Sequence, residues 1–391
     1  IKMDIFANGR ILISNHNMSI IKKQFFELLK AGLWGAKPNI DLFEADVDWK
    51  ELYKCARKQA LLGVIFDGIQ ELPKELMPGR SVYLQWCNAA LHIEDNNKLL
   101  NRELKNVYSL ANENGITAIL FKGQGVAQNY RFPLHRNCGD IDLYIGEDNF
   151  EKLNSLLRKE ATNEFEENYK HTSITWHSVT IENHRILTEL SAPKGNRKLQ
   201  AEINRWYNMK DFRKRVIGDV EVLLAPLPFD TAYVLVHAVQ HFLNEGVGLR
   251  QVCDWACMLT AQKDEPGKEE TAELLRSFGI EKAAKVFGAL ICEFMGVEKC
   301  VLPIEYEERD IETAKWLLED IWEGGNFGQH TNKLGNRPKG YWKGKWFTFT
   351  RAWKRCRELG QLAPAEARWY PVKLALHSFS ICLLYTSDAA D

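Results

Sequence analysis

No apolar run in the 391 residues approaches the ~20 that a membrane-spanning helix needs. Nor do the opening residues show the apolar core and cleavage site of a signal peptide. Charge of one sign is also missing. With 51 basic residues against 52 acidic ones the net charge is −1, so no global field draws the chain to long nucleic acid. Nine cysteines occur without a Cys-x-x-Cys pair or regular spacing, which argues against a zinc module and a secreted disulfide framework and favours the cytoplasm. Cys253 and Cys257, four apart on an expected helix with no histidine at ligand spacing, read as core residues. Gly-x-Ser-x-Gly, His-Glu-x-x-His and Gly-x-x-x-x-Gly-Lys-Ser/Thr are all absent, which sets aside serine hydrolases, zinc peptidases of that type and P-loop enzymes. What remains, at 45% hydrophobic and 26% charged residues, is an ordinary globular chain long enough for two or three packed units and without internal repeats.

Chemistry concentrates between Phe121 and Ile145. Gly139 to Ile145 reads as a short strand whose alternation places Asp140 and Asp142 on one face and Ile141 and Leu143 on the other. Two carboxylates so close repel each other unless a cation stands between them. A hard divalent ion, Mg²⁺ first and Mn²⁺ as its substitute, fits an Asp-x-Asp edge that leaves positions open for phosphate oxygens. Gly139 lets the backbone approach closely just where the phosphates would lie. Upstream, Thr117 to Phe121 is a strand-like run that ends at Lys122-Gly123-Gln124-Gly125 and opens a short helix toward Tyr130. Such a turn offers backbone N–H groups to an anion, with Lys122 or Arg136 as charge partners.

These residues resemble the bacterial uncharacterised nucleotidyltransferase family, within the polymerase-beta-like nucleotidyltransferase superfamily. The likeness lies in Lys122-Gly123, Tyr130, Arg136 and Asp140-Ile141-Asp142-Leu143, with Gln124 where the wider superfamily usually has Ser. The resemblance implies an α+β fold, with a small mixed-sheet core flanked by N-terminal and C-terminal helical units. It also implies two Mg²⁺ ions, an NTP donor, an acceptor that the residues do not identify, and a third carboxylate on a neighbouring strand. For that carboxylate the sequence offers Glu189. Ser178–Ile181 and Arg185–Leu190 read as two strands joined by a polar tip, Glu182-Asn183-His184, and Glu189 lies inside the second. The family's Val-Glu-Leu-His-like segment is then matched by Leu187-Thr188-Glu189-Leu190, with Ser191 in place of the His. A further likeness, Gly246 to Trp255, sets Arg250 and Asp254 on a helix, where they are either an i,i+4 ion pair or an Arg250 turned toward the nucleotide. His237 and His241, also four apart, read as packed or hydrogen-bonded histidines in preference to a metal or phosphate site. Two function classes follow: an enzyme that nucleotidylates a small molecule, protein or RNA end, and a non-catalytic nucleotide-binding protein that keeps the fold.

The expected organisation runs from an N-terminal helical unit at 18–95 through a core at 96–228 to a helical domain at 229–323, with breaks marked by Gly115 and Pro226-Leu227-Pro228. Residues 324–381 are rich in Trp, Lys and Arg, and packing against the body is preferred to base stacking or membrane contact. Residues 1–17 read as a non-native leader before Met18, and 382–391 resemble a translated sequencing adapter.

Overall fold

The computed structural model describes residues 18–244, 246–263, 267–326, 340, 346–347, 350, 353 and 356–387. The expected leader at 1–17, the last residues of the adapter-like tail and the Tyr341–Lys345 stretch of the Trp/basic segment lie outside them.

Ser19 accepts a hydrogen bond from the Lys22 N–H and starts α1 (Ile20–Trp34), which Gly35 ends at φ +68°. Helices α2 (Trp49–Lys58) and α3 (Leu62–Gln70) follow. Glycines let α1 and α3 touch backbone to backbone: a Cβ at Gly32 would stand 1.9 Å from the Val64 carbonyl oxygen, and one at Gly68 2.0 Å from that of Leu28. Helix α4 (Arg80–Glu113) then runs unbroken for 34 residues, straight through the boundary expected at residue 95. Its buried residues Trp86, Ala90, Asn97, Leu100, Leu104, Val107 and Ala111 keep helical spacing across that point, so no local signal interrupts it. It stops where the Ile116 N–H closes on the Ala111 carbonyl at 2.8 Å, with Gly115 at φ +67°.

A mixed sheet of seven strands follows, giving the α+β class that the sequence implied. The strands are β1 (Ile119–Phe121), β2 (Asp140–Tyr144), β3 (Ala161–Glu167), β4 (His171–Trp176), β5 (Val179–His184), β6 (Arg213–Ile217) and β7 (Val220–Leu224), in the order β3-β4-β5-β2-β1-β7-β6. The β2–β5 and β1–β7 pairs are parallel and the others antiparallel. Between strands lie α5 (Gly123–Ala127), α6 (Glu147–Arg158) and α7 (Pro193–Asn208). The sheet divides two cores. Ile141, Leu143 and Ile181 join Leu100 and Leu104 of α4 and Leu153 of α6 on one side. Phe121 and Tyr144 join Trp206 of α7 and the large helical core on the other. That core is completed by α8 (Leu227–Asn244), α9 (Leu249–Ala261), α10 (Lys268–Phe278), α11 (Glu281–Met295) and α12 (Glu308–Gly324).

The hairpin differs from its expected form. Its strands are β4 and β5, joined at His177-Ser178 with φ +46° and +73°, and Glu182-Asn183-His184 forms the end of β5 instead of a turn. The polar triplet remains extended because its side chains find partners inside the protein: Asn183 donates to Asn154 Oδ1 at 2.8 Å, and His184 Nε2 meets Asp142 at 2.9 Å and Glu182 at 3.4 Å. Arg185–Leu190 forms no strand; the Arg185 and Ile186 N–H groups turn back onto the Lys170 carbonyl.

Past residue 324, Trp346 and Trp353 are exposed, whereas Leu359, Leu362 and Ala363 are buried. Helix α13 (Pro364–Ser387) carries a fully buried Glu366 that accepts from the Ser191 and Ala192 N–H groups at 2.7 and 2.8 Å, capping the start of α7.

Replacing a helical glycine by alanine ordinarily gains helix stability, but at Gly32 the contact with Val64 reverses the sign. Gly32→Ala is expected to destabilise the chain by about 1–3 kcal/mol, read from thermal or urea unfolding. An unchanged or raised midpoint would contradict the close packing of α1 on α3.

Candidate active site

Strand β2 turns Asp142 away from Ile141 and Leu143, which are fully buried in the α4/α6 core. The parallel partner β5 sets Glu182 opposite Asp142 and His184 opposite Tyr144, so Glu182 and His184 share the face of Asp142. The ligand atoms of Asp142, Glu182 and His184 all lie within 4.8 Å of one another. His184 Nε2 stands 2.9 Å from Asp142 Oδ1 and 3.4 Å from Glu182 Oε2. Lys122 reaches the same Asp142 Oδ1 from the end of β1, at 2.7 Å from Nζ. Its ammonium also lies 3.3 Å from His237 Nε2 on α8, which in turn lies 3.1 Å from His241 Nε2.

Lys122 holds this position with a backbone at φ +53°, ψ −139°, a conformation that costs an L residue about 1–3 kcal/mol and persists only where the surroundings impose it. Gly123 follows at φ +31°, where a Cβ would stand 3.2 Å from the Asp140 carbonyl oxygen, so the loop lies directly on β2.

The electrostatics follow from this packing. Burial alone would raise the Asp142 carboxyl, but the Lys122 ammonium and His184 outweigh it and hold it well below the usual range. Asp140 goes the other way: the neighbouring Asp142 charge, aided by burial, pushes it up to about 6. Burial works against the charged form of Lys122, yet Asp142 keeps its pKa raised. Likewise burial opposes charge on His184, and its bonds to Asp142 and Glu182 raise it. His237 is driven well below its ordinary value by burial, and further by Lys122 and His241, which leaves it neutral as an acceptor.

The other residues singled out from sequence divide. Arg136 is buried and forms a two-pronged ion pair with Asp254 of α9, Nε to Oδ1 at 2.7 Å and Nη2 to Oδ2 at 2.8 Å. Tyr130 donates to the same Oδ1 at 2.7 Å. This network braces the loop against α9, and it gives Arg136 a partner other than a nucleotide. Asp254, read as an i,i+4 partner of Arg250, is thus engaged by Arg136, and Arg250 donates to the Asn137 carbonyl at 3.0 Å. Gln124 is buried, with neither amide atom hydrogen-bonded. A side chain at Gly139 would meet nothing within 4 Å, so the start of β2 faces open space. Glu189 is not brought to Asp142. It lies in irregular backbone, accepts from Tyr169 at 2.9 Å, and pairs with Lys373 at 3.2 Å and Lys170 at 3.5 Å. Burial would raise its carboxyl, but Lys373, Tyr169 and Lys170 hold it low.

Sequence reasoning therefore missed Glu182 and His184 by reading them as a turn. The available signal was the β-branched run Val179-Thr180-Ile181, whose strand character continues through Glu182 to His184. Two converging carboxylates with an imidazole, and an adjacent Asp140 whose ionisation Asp142 opposes, are a donor set that fits a divalent cation.

A sequence profile for a family described as uncharacterised nucleotidyltransferase matches residues 45–296. No protein of curated function matches the chain. Among solved structures, an antigenic nucleotidyltransferase-like protein from Paracoccidioides brasiliensis covers 56% of this chain and 96% of its own, at 11% identity and a TM-score of 0.32, too slight a likeness to carry an argument.

With no divalent metal present, the stability that Asp140 contributes is full below pH ~4 and is lost as pH rises through about 6, because its folded pKa lies above its ordinary 3.8. Asp140→Asn removes this loss, so in EDTA the variant should gain on the wild type progressively from pH 4 to pH 7 in thermal unfolding. A difference that stays constant across that range would refute the assignment.

Proposed function

Because the chain belongs to the uncharacterised nucleotidyltransferase family, we propose that it transfers a nucleoside monophosphate from an NTP to an acceptor hydroxyl, at the edge formed by Asp140, Asp142 and Glu182. The observation that carries this reading is the parallel register that sets Glu182 directly against Asp142. In this reading Glu182 is the third carboxylate on a neighbouring strand, in the role that the sequence had offered to Glu189. The proposed fold relationship is to polymerase-beta-like nucleotidyltransferases.

Asp140, Asp142 and Glu182 would hold the divalent ions, Mg²⁺ by preference for oxygen ligands, with Mn²⁺ better suited if His184 also coordinates. Bound there, such ions neutralise the triphosphate and ease loss of the hydroxyl proton. The chain's own residues do the rest. His184 fixes the carboxylates of Asp142 and Glu182 through its Nε2. Lys122 supplies a positive charge beside the phosphates. The acceptor oxygen attacks the α-phosphorus in line, the bond to the β-phosphate oxygen breaks, and pyrophosphate leaves. The acceptor's proton passes to a carboxylate of this edge. Arg136 and Asp254 position the loop and contact no substrate, and Arg250, near the start of β2 through Asn137, borders the nucleotide.

One observation favours the alternative of a non-catalytic nucleotide-binding protein: Lys122 already neutralises Asp142 without any metal. The test is incubation with each α-³²P-labelled NTP, Mg²⁺ and cell extract. Asp142→Asn and Glu182→Gln should each lower label transfer by about a hundredfold or more, with Glu189→Gln close to wild type. Loss of transfer in Glu189→Gln but not in Glu182→Gln would reverse the assignment, and NTP binding without transfer or pyrophosphate release would favour the non-catalytic reading.

A further inference from the structure

Lys122 occupies an atom that a metal needs. Its Nζ lies 2.7 Å from Asp142 Oδ1, and Asp142 is 2% exposed, so the carboxylate is already neutralised inside the protein by a covalently attached cation. His184 Nε2 bonds the same oxygen at 2.9 Å. The backbone of Lys122 is held in a strained conformation to make this contact, and the strand register leaves Asp142 no choice but to face it. A divalent ion on the Asp142–Glu182 pair and an ammonium on Asp142 Oδ1 cannot both take that oxygen's electrons at full strength, and two cations at adjacent positions repel. A second acceptor for Lys122 stands ready: His237 Nε2 lies 3.3 Å from its Nζ.

We propose that Lys122 is an exchangeable internal cation, which seals Asp142 in the metal-free protein and is displaced toward His237 and the triphosphate when a divalent ion takes its place. The proposal rests on the divalent-ion part of the functional reading above. It adds that Lys122 opposes binding of the metal alone. The charge that Lys122 withdraws from Asp142 is then available to the triphosphate, so metal and nucleotide are admitted together in preference to free metal. The exchange is one of contacts only: no covalent bond forms or breaks.

Two readouts that need no turnover test this. The first is Mn²⁺ binding followed by electron paramagnetic resonance in the absence of nucleotide. Lys122→Met should bind Mn²⁺ at least about tenfold more tightly than the wild type, and Asp142→Asn should abolish binding in either background. The second is thermal unfolding. In EDTA, Lys122→Met leaves the buried Asp142 carboxylate without its ammonium partner and should melt about 5–10 °C below wild type, with Mn²⁺ restoring most of the loss. The double variant Lys122→Met/Asp142→Asn should regain stability over Lys122→Met in EDTA, so the point stands even if the single variant folds poorly.

Equal Mn²⁺ affinity in wild type and Lys122→Met would overturn the exchange while leaving the metal site standing. No Mn²⁺ binding by any variant, with or without NTP, would remove the metal reading itself and the exchange with it. A Lys122→Met melting point that Mn²⁺ fails to raise would also overturn the proposal, because the Asp142 oxygen freed of Lys122 would then take no metal.

Discussion

Like charges forced onto one face of two adjacent strands are the constraint around which this part of the molecule is arranged. Asp140 and Asp142 alternate with fully buried Ile141 and Leu143, so neither can rotate away without pulling the apolar pair out of the core below. The parallel pairing of β2 with β5 then adds Glu182 to the same place. Repulsion among these groups is met from three directions: Lys122 from the end of β1, His184 from β5 itself, and the open space in front of Gly139. Asp142 takes Lys122 and His184 on one oxygen, and Asp140 is left as the carboxyl that feels its neighbour most.

A second, buried network keeps this edge in position. The Arg136–Asp254 pair and Tyr130 fasten the segment between β1 and β2 to α9, and buried pairs of this kind specify one arrangement more than they add stability. The motif residues therefore serve two purposes that look alike in sequence. Lys122 and Asp142 meet at the chemical edge, whereas Tyr130 and Arg136 hold the loop that presents it. Only the identity of the partner, a strand carboxylate or a helix carboxylate, separates the two roles.

Legibility followed the range of the interactions. The α+β class came with the family resemblance, and the alternation at residues 140–145 and the helical spacing of the flanking segments, both local patterns, agree with it. Gly115 could be read as a helix stop because a left-handed glycine is a local device. Residues 182–184 could not: three consecutive polar side chains look like a turn until Asn154, Phe150 and Asp142 are known to lie beside them. Glu189 failed for the complementary reason. Its companions Tyr169, Lys170 and Lys373 come from two distant parts of the chain, and nothing near it in sequence announces them.

The long helix α4 has a mechanical consequence. At 34 residues it spans about 50 Å, with Trp86 anchored in the large helical core and Leu100 to Ala111 in the core on the other side of the sheet. A rod clamped at both ends transmits torque and resists bending, so the N-terminal helices and the sheet turn as one piece. Any rearrangement at the acidic edge has to hinge outside that rod, and α8, which brings His237 to Lys122, is packed into the same core that holds Trp86.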